Sequence, residues 1–360
     1  MHLSNPPLGR DGALVGFGNI AQAAHLAALA ACDLRITAVV ETAPERRQEA
    51  IARLPGVRLY ADVEDLLRAE RPAFVDICTP PHLHFEAARL VLGAGIHVLC
   101  EKPLVLTAAD AQDLATLAEQ HRVVLACVHN WTHAPILARV RELLRSNILG
   151  PLVSVDLVTL RTQPARGAGA VGDWRVDAAQ AGGGILFDHG WHGMAILLRT
   201  VGDWPRSVSG SIARRRHVDL AIEDTAISSV VFSHGVTGRV EATWAADERC
   251  NRATFRCRDG DLALHNASLT IWRGGVQVGR EDFAESLADG GYRPTWTAAV
   301  VRDFAAEIAN PAARGGMLRE ALTVLQLLLG TYRSAAAAGA SQDLPVGGFR
   351  GPGAGATAQP

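Results

Sequence analysis

A glycine-rich turn near residue 16 has the spacing of a site for the pyrophosphate of a dinucleotide. The sequence reads Gly16-Phe17-Gly18-Asn19-Ile20-Ala21, which is G-x-G-x-x-A between a predicted strand and a predicted helix. The first glycine permits the tight turn, the second lets the backbone approach the pyrophosphate, and the alanine lets the helix pack against the sheet. The helix N-terminus adds amide donors and partial positive charge. We therefore predict dinucleotide binding through Gly16, Gly18, Asn19 and Ile20; a tight turn that binds nothing is the alternative.

An acidic residue follows at the position that reads the adenosine ribose in such sites. Glu41 ends the second predicted strand, 23 residues after Gly18. Its carboxylate can accept both ribose hydroxyls and would repel a 2′-phosphate, which favours NAD over NADP. Arg46 and Arg47 lie close downstream and could bind such a phosphate, so NADP stays open. A solvated acid that caps a helix is the alternative.

Two polar segments follow neighbouring predicted strands. Cys78-Thr79-Pro80-Pro81-His82-Leu83-His84 comes after one strand, and Glu101-Lys102-Pro103 comes directly after the strand His97–Leu99. Ligands bind at the carboxyl ends of the strands of an open α/β sheet. A lysine there can donate a hydrogen bond to a substrate oxygen or stabilise a developing alkoxide. Taken alone, Glu-Lys-Pro is also usual in an exposed turn.

A third segment combines glycines with a carboxylate and imidazoles. Gly182-Gly183-Gly184 allows close backbone approach and a sharp entry into a helix. Asp188 and His192 are four residues apart, so on a helix they share one face and form a plausible acid/base pair. His189 falls off that face and is predicted to be structural. Two metal ligands would be an alternative, but the sequence shows no further ligand at useful spacing, so we predict no metal. A capped core helix with a satisfied histidine is the other alternative.

The elements that must position these residues change character near residue 130. Up to there, short apolar strands alternate with helices, which predicts a doubly wound parallel sheet of the Rossmann type over residues 11–130. Longer alternating strands with hairpin breaks then predict an antiparallel α+β domain over residues 131–340, closed by helices at Thr295–Ala309 and Leu318–Ala338. The Gly/Pro-rich tail, residues 341–360, is predicted to be disordered.

Composition excludes several classes of function. Lys plus Arg is 35 and Asp plus Glu is 37, so the net charge is −2. The sequence contains no block of basic residues, so we predict no nucleic-acid partner. No apolar run reaches the roughly 18 residues of a membrane span, and the first ten residues lack the apolar core of a secretory signal. The six cysteines form no C-x-x-C, which argues against a disulfide scaffold and favours a reducing cytoplasm.

Together these segments resemble the glucose-fructose oxidoreductase / inositol dehydrogenase / rhizopine catabolism family, Gfo/Idh/MocA. The resemblance spans about residues 11–345 and rests on three runs: Val75–Thr107, Ala181–His192 and Glu223–Trp244. It implies an N-terminal Rossmann domain and a C-terminal α+β domain with a large, mostly antiparallel sheet. It also implies a nicotinamide cofactor, a small-molecule sugar, cyclitol or related polyol as substrate, and a homodimer or homotetramer formed through the open sheet face.

The resemblance also implies roles for single residues. Lys102 matches the lysine that hydrogen-bonds the reacting hydroxyl, His192 the acid/base histidine, and Asp188 the carboxylate that orients substrate or histidine. The peptide before the proline that matches Pro103 is often cis in the family. Further positions match residues that contact the cofactor: Thr79, His82, Glu101, Lys102 itself and, beside Trp174, Arg175.

Substrate fit is expected to depend on two loops, Arg161–Asp177 and Ala245–Arg252. The segment His129–Pro135 departs from the family, in which an arginine or tyrosine is usual there. Two alternative functions stay open: an NAD-dependent glycosidase that works by transient oxidation, and a non-catalytic dinucleotide sensor. Retention of Lys102, Asp188 and His192 speaks against the sensor.

Overall fold

The structure, a computed structural model, describes residues 9–164 and 173–345. Contacts divide these residues into two compact units. The first unit contains residues 9–128 and Tyr292–Thr323, and the second contains His129–Gly291 and residues 324–345, apart from the gap at 165–172. Residues 131–340 are predicted to form one domain, whereas Tyr292–Thr323 belongs to the first unit.

The first unit is built on a six-stranded parallel sheet with the strand order β3-β2-β1-β4-β5-β6. The order reverses between β1 and β4, which is the point at which doubly wound sheets bind ligands. The predicted doubly wound parallel sheet is therefore confirmed. Its strands are β1 (Asp11–Val15), β2 (Arg35–Val40), β3 (Arg58–Tyr60), β4 (Phe74–Ile77), β5 (His97–Cys100) and β6 (Leu125–Cys127).

Helices cover this sheet and begin at recognisable caps. The side chains of Asp62 and Thr107 accept the amide hydrogens of residues three positions on, and Pro44 opens another helix. The helix after the glycine-rich turn begins with a five-residue π-helix, Ala21–His25. The α-helices are α1 (Leu26–Ala30), α2 (Pro44–Arg53), α3 (Val63–Ala69), α4 (His84–Gly93) and α5 (Ala108–His121).

The second unit contains a nine-stranded sheet with the order β14-β13-β12-β11-β7-β10-β9-β8-β15. Only β7 and β10 pair in parallel, so the predicted large, mostly antiparallel sheet is confirmed. The strands are β7 (Leu152–Leu160), β8 (Pro205–Ala213), β9 (Thr225–Phe232), β10 (Thr237–Thr243), β11 (Cys250–Cys257), β12 (Gly260–His265), β13 (Ser268–Arg273), β14 (Val276–Asp282) and β15 (Gln342–Asp343).

The two faces of this sheet differ. One face packs against α8, where Gly193 and Gly238 leave room for Val240 and Leu197. The opposite face carries an ion network in which Arg239 contacts Asp156 and Glu241 at 3.3 and 2.6 Å. The helices of this unit are α6 (Pro135–Arg145), α7 (Ala178–Ala181) and α8 (Trp191–Val201), and α8 follows a second five-residue π-helix, Leu186–Gly190.

Two helices close the chain, α9 (Pro294–Ala309) and α10 (Gly316–Ala336). The apolar side of α9 is buried in the core of the first unit, where Phe304 meets Phe74 edge-on at 6.3 Å between ring centroids. This burial explains why Tyr292–Thr323 belongs to the first unit. No described helix is long and apolar enough to cross a membrane.

Two expectations about irregular segments are corrected. Residues 341–345 are not part of a disordered tail, because β15 pairs with β8; residues 346–360 lie outside the described residues. The loop predicted at Ala245–Arg252 is shorter than expected, since β11 begins at Cys250.

Candidate active site

The glycine-rich turn lies at the carboxyl end of β1, against the start of the segment after β4. Gly16 has φ of +87°, and a Cβ there would lie 2.9 Å from Thr79 Cγ2, so glycine is required. At Gly18, the nearest protein atom to a Cβ would be Arg46 Nη1, 3.9 Å away. The protein itself therefore leaves space at Gly18, as the approach of a pyrophosphate requires.

Glu41 closes this turn from the end of β2. Its Oε2 accepts the Phe17 amide hydrogen at 2.8 Å, and its Oε1 accepts those of Thr42 and Ala43 at 2.8 and 2.9 Å. A carboxylate offers about four lone-pair directions, so about one remains for a ligand. The side chain thus holds the turn itself, and its predicted contact with ribose stays a prediction.

The segment after β4 is tied to the Glu-Lys-Pro turn by a buried histidine. The ring nitrogens of His84 lie 2.8 Å from the carbonyl oxygens of Pro103 and Thr79. The Lys102–Pro103 peptide is cis, as the resemblance implied. Thr79 Oγ1 is buried and has no hydrogen-bond partner among the described residues, which fits a polar ligand at this edge. His82 lies exposed on the turn beside it.

Glu101 and Lys102 follow β5 at the same edge of the sheet. Glu101 Oε2 accepts the Lys102 amide hydrogen at 2.9 Å, and its Oε1 lies 2.9 Å from His25 Nε2. The other ring nitrogen of His25 lies 2.8 Å from Asp76 Oδ2. Burial lowers the pKa of His25, but the charges of Asp76 and Cys78 and their hydrogen bonds together outweigh burial and raise that pKa well above its usual value.

The same cluster contains residue types that bind metal ions. One ligand atom from each of His25, Asp76 and Cys78 lies within 4.8 Å of the others, and all three residues are buried. However, Cys78 Sγ lies 3.4 Å from His25 Nδ1 and 3.7 Å from Asp76 Oδ1, which are hydrogen-bond distances for sulfur. Both imidazole nitrogens of His25 face carboxylates. These groups suit a proton held between His25 and the carboxylates better than a metal ion.

In the second unit, Asp188 lies in a row of polar contacts that the sequence did not predict. Asp188 Oδ2 lies 2.8 Å from His189 Nδ1, and Arg161 Nε donates to His189 Nε2 at 3.2 Å. Because Nε2 accepts this bond, the proton of a neutral imidazole lies on Nδ1, the nitrogen that faces Asp188. His189 therefore contacts the carboxylate at ion-pair distance, and its predicted structural role stays a prediction.

Arg161 is predicted to lie in a loop that contacts the substrate, but it is buried and donates to His189 from the side away from Asp188. It is 1% exposed, and its guanidinium also donates to Leu160 O and Asn251 Oδ1 at 2.7 and 2.9 Å. Burial, with a smaller contribution from Arg249, lowers the pKa of Arg161 to about 10. A buried guanidinium at the end of β7 thus holds the His189 side chain in place. The rest of the predicted loop lies partly outside the described residues.

His192 stacks on the ring of Trp131, which belongs to the segment His129–Pro135. The rings of His192 and Trp131 are parallel within 7° at 4.4 Å, and Arg161 lies 5.7 Å from the Trp131 centroid. His192 is 7% exposed, so its imidazole is held at a buried position. Trp131 therefore fixes the ring that the sequence proposes as acid/base.

A buried glutamate anchors the helix entry that carries Asp188. Glu223 accepts the Gly184 and Leu186 amide hydrogens at 3.0 Å each, and the Tyr332 hydroxyl at 2.8 Å. A Cβ at Gly184 would lie 1.9 Å from Glu223 O. The predicted close backbone approach at the three glycines is real, and its partner is Glu223, which sequence reasoning missed.

Arg175, the remaining predicted cofactor contact, lies on the turn Trp174–Val176 of the second unit. Its guanidinium lies 4.4 Å from the Trp174 ring centroid, and it contacts Asp173 Oδ1 at 3.4 Å. The side chain is 32% exposed, so a ligand could reach it. Its contact with a cofactor stays a prediction.

One sequence signal for Lys102 was overlooked. Lys102 is the single lysine of the chain, and every other residue among the 35 Lys and Arg is arginine. Lysine and arginine are not equivalent: an ammonium is a compact point charge whose pKa shifts readily, whereas a guanidinium is broad and always charged. A chain that uses arginine elsewhere keeps lysine at the carboxyl end of β5.

Comparisons with known proteins identify the family of this chain. Residues 11–129 match the family model described as "Oxidoreductase family, NAD-binding Rossmann fold", and residues 137–263 match the "GFO/IDH/MocA C-terminal domain". An uncharacterized oxidoreductase of Synechocystis sp. is 30% identical over 263 residues, covering 65% of this chain and 70% of that protein.

Two further relatives carry more specific names. The levoglucosan dehydrogenase of Pseudarthrobacter phenanthrenivorans is 26% identical over 240 residues, covering 60% of this chain and 61% of the relative. The solved structure of an inositol dehydrogenase homolog complexed with NAD⁺, from Azotobacter vinelandii, has a TM-score of 0.80 at 20% identity. It covers 93% of this chain and 97% of that one, and it shows a shared fold. The chain belongs to the Gfo/Idh/MocA family of oxidoreductases.

Proposed function

We propose that this protein oxidises a secondary hydroxyl, or reduces the corresponding ketone, of a sugar, cyclitol or related polyol, with NAD as cofactor. The observation that carries the proposal is the arrangement at the carboxyl edge of the first sheet. There, Gly18 leaves space for a pyrophosphate, and the single lysine follows β5. The names of relatives such as levoglucosan dehydrogenase support a sugar-like substrate.

Oxidation of an alcohol needs a base for the hydroxyl proton and stabilisation of charge on the oxygen. When bound, a nicotinamide accepts the hydride, and that chemistry belongs to the cofactor. Lys102 Nζ donates a hydrogen bond to the reacting oxygen and stabilises its negative charge. The imidazole of His192 takes the hydroxyl proton. The residues that would hold the cofactor are those of the turn, with Glu41, Thr79, His82, Glu101 and Arg175.

Asp188 binds a neighbouring hydroxyl of the substrate or orients His192. The support for this role is its position: Asp188 lies 2.8 Å from His189 Nδ1, and buried Arg161 donates to the other ring nitrogen of His189. A polyol offers vicinal hydroxyls, so a carboxylate on the same segment as the acid/base group suits this class of substrate. We also propose a cytoplasmic homo-oligomer, with a second copy on the open sheet face around Arg239.

The first experiment is a thermal shift with NAD, NADH, NADP and NADPH, each added alone. A ligand at 100 times its Kd stabilises the folded protein by about 2.7 kcal/mol. We expect a higher Tm with NAD and NADH. A rise with NADP alone would contradict the role of Glu41, and no rise with any of the four would contradict the proposed cofactor, provided that none co-purified.

The second experiment follows NADH at 340 nm with a panel of sugars, cyclitols and polyols. We expect His192→Ala to lower kcat by about 10²- to 10⁴-fold, the usual value of a general base. His121→Ala is the matched control, because His121 lies exposed in the last turn of α5. Release of nitrophenol from a nitrophenyl glycoside without net NADH would favour the glycosidase instead. Binding of NAD without turnover of any substrate would favour the sensor.

A further inference from the structure

We infer that His25 is a positioning residue, which holds Glu101 and thereby the main chain of Lys102 in register with the dinucleotide-binding helix. This inference rests on the proposed function, because that function assigns Lys102 to the reacting oxygen of the substrate. It assigns a role to the buried cluster of His25, Asp76, Cys78 and Glu101, none of which touches the substrate in the proposed mechanism.

The imidazole of His25 joins two carboxylates. It is 0% exposed, and its Nδ1 and Nε2 lie 2.8 Å from Asp76 Oδ2 and 2.9 Å from Glu101 Oε1. Ionised carboxylates only accept hydrogen bonds, so between two of them both ring nitrogens donate, and the ring is then an imidazolium. Cys78 Sγ also faces Nδ1, at 3.4 Å. A buried cation between two anions has few alternative positions that satisfy its hydrogen bonds.

Glu101 transmits this position to Lys102. One oxygen of its carboxylate is held by His25, and the other accepts the Lys102 amide hydrogen at 2.9 Å. Burial alone would raise the pKa of Glu101, but the hydrogen bond and charge of His25 lower it, so the carboxylate stays ionised. The chain of contacts therefore runs from the helix after the glycine-rich turn to the residue proposed to bind the substrate oxygen.

The π-helix puts His25 in place. His25 is the last residue of Ala21–His25, the segment that directly follows the glycine-rich turn. One extra residue in a helical turn rotates the later residues of the helix by about 100°, so a regular α-helix would point residue 25 elsewhere. Single π-turns are frequent at functional sites. The same five residues thus open the dinucleotide-binding helix and aim the imidazole at Glu101.

Loss of the cation leaves two buried carboxylates without a shared partner. One of them takes up a proton, because like charges disfavour the ionised form. His25→Gln can donate from its amide nitrogen to one carboxylate only, since its oxygen is an acceptor. The Lys102 amide then loses its fixed acceptor, and the lysine is displaced. Displacement of a reacting group by about 1 Å can cost 10²-fold in rate.

The single lysine makes a direct test available. Protein labelled with ¹⁵N-lysine gives one backbone amide signal, that of Lys102. We expect His25→Gln to shift or broaden this signal and His121→Gln, at an exposed histidine, to leave it unchanged. An unchanged signal in folded His25→Gln would overturn the inference. If that variant does not fold, the ¹⁵N spectrum of wild-type His25 decides: an imidazolium that persists above pH 8 supports the inference, and a neutral ring refutes it.

Kinetics separate positioning from a merely structural role. We expect His25→Gln to lower kcat by about 10- to 100-fold and to change the NAD Kd by less than threefold. Combining His25→Gln with Glu101→Gln should cost no more than the larger single effect, because both break one chain of contacts. Additive losses would contradict the inference. The NMR experiment needs no substrate, so failure of the proposed function to appear is distinguishable from failure of this role.

Discussion

Replacing Gly184 by alanine should displace the helix that carries Asp188 and His192. The added Cβ would lie 1.9 Å from Glu223 O, whereas real Cβ contacts stay beyond 3.0 Å. The backbone must therefore separate by about 1 Å, and overpacking of this kind costs about 1–3 kcal/mol. In addition, the Gly184 amide would move away from the Glu223 carboxylate, which accepts it at 3.0 Å.

Gly93→Ala is the matched control, because nothing lies within 4 Å of a Cβ at that helical position. Removing a glycine there should stabilise the protein by about 0.4–1 kcal/mol. We expect Gly184→Ala to lower Tm by several degrees and kcat by about 10²-fold, and Gly93→Ala to raise Tm slightly with unchanged kcat. Calorimetry and the 340 nm assay measure both. If Gly184→Ala keeps wild-type kcat and Tm, the reasoning about this helix entry is wrong.

Three further predictions concern residues outside that entry. Glu41→Ala should weaken NAD binding at least tenfold, about 1.4 kcal/mol, while exposed Glu45→Ala should not, as titration calorimetry would reveal; equal affinities would contradict the role of Glu41. Asp224→Asn should lower Tm, because Asp224 accepts three backbone amide hydrogens. Burial alone would raise the pKa of Asp224, but these amides lower it below its unfolded value. Its stabilisation is therefore present above about pH 4 and lost as pH falls further, so the Tm difference between wild type and Asp224→Asn should shrink in acid. Phe304→Ala should cost about 3–5 kcal/mol in the free energy of unfolding, since the ring is fully buried against Phe74.

Elements with strong local signals could be predicted from the sequence. Strand β9 (Thr225–Phe232) has the alternating burial that its sequence pattern indicates, and the helix predicted at Thr295–Ala309 begins one residue earlier, at Pro294. Apolar runs and helix-opening residues are properties of a few neighbouring residues. They therefore survive in the folded protein whatever packs against them.

Elements defined by distant partners were missed. Strand β3 is only Arg58–Tyr60, and β14 has exposed residues on both faces, so neither gives a clear hydrophobic pattern. The assignment of Tyr292–Thr323 to the first unit depends on a surface that lies far away in sequence. No local pattern could indicate which core that helix would enter.

The residues of the site also divide into those with a local sequence signal and those whose role depends on distant partners. The glycines and Lys102 could be predicted because their residue types and spacing point to chemistry. The contacts of His189 could not, because a regular α-helix over Leu186–Gly190 would turn it away from Asp188. That segment is a π-helix, and His189 meets Asp188 and Arg161. Likewise, His25 gives no signal by itself. Its role appears only when β4 and the Glu-Lys-Pro turn are brought beside it.

The most direct test of the account is the turnover of Lys102→Ala with NAD and the best substrate from the polyol panel. Lys102 provides charge stabilisation on the reacting oxygen, and loss of one such donor typically costs about 10²- to 10³-fold in kcat. We predict that loss together with an NAD Kd within threefold of wild type. A kcat within a few-fold of wild type, at unchanged NAD affinity, would contradict the central claim that this lysine activates the substrate hydroxyl.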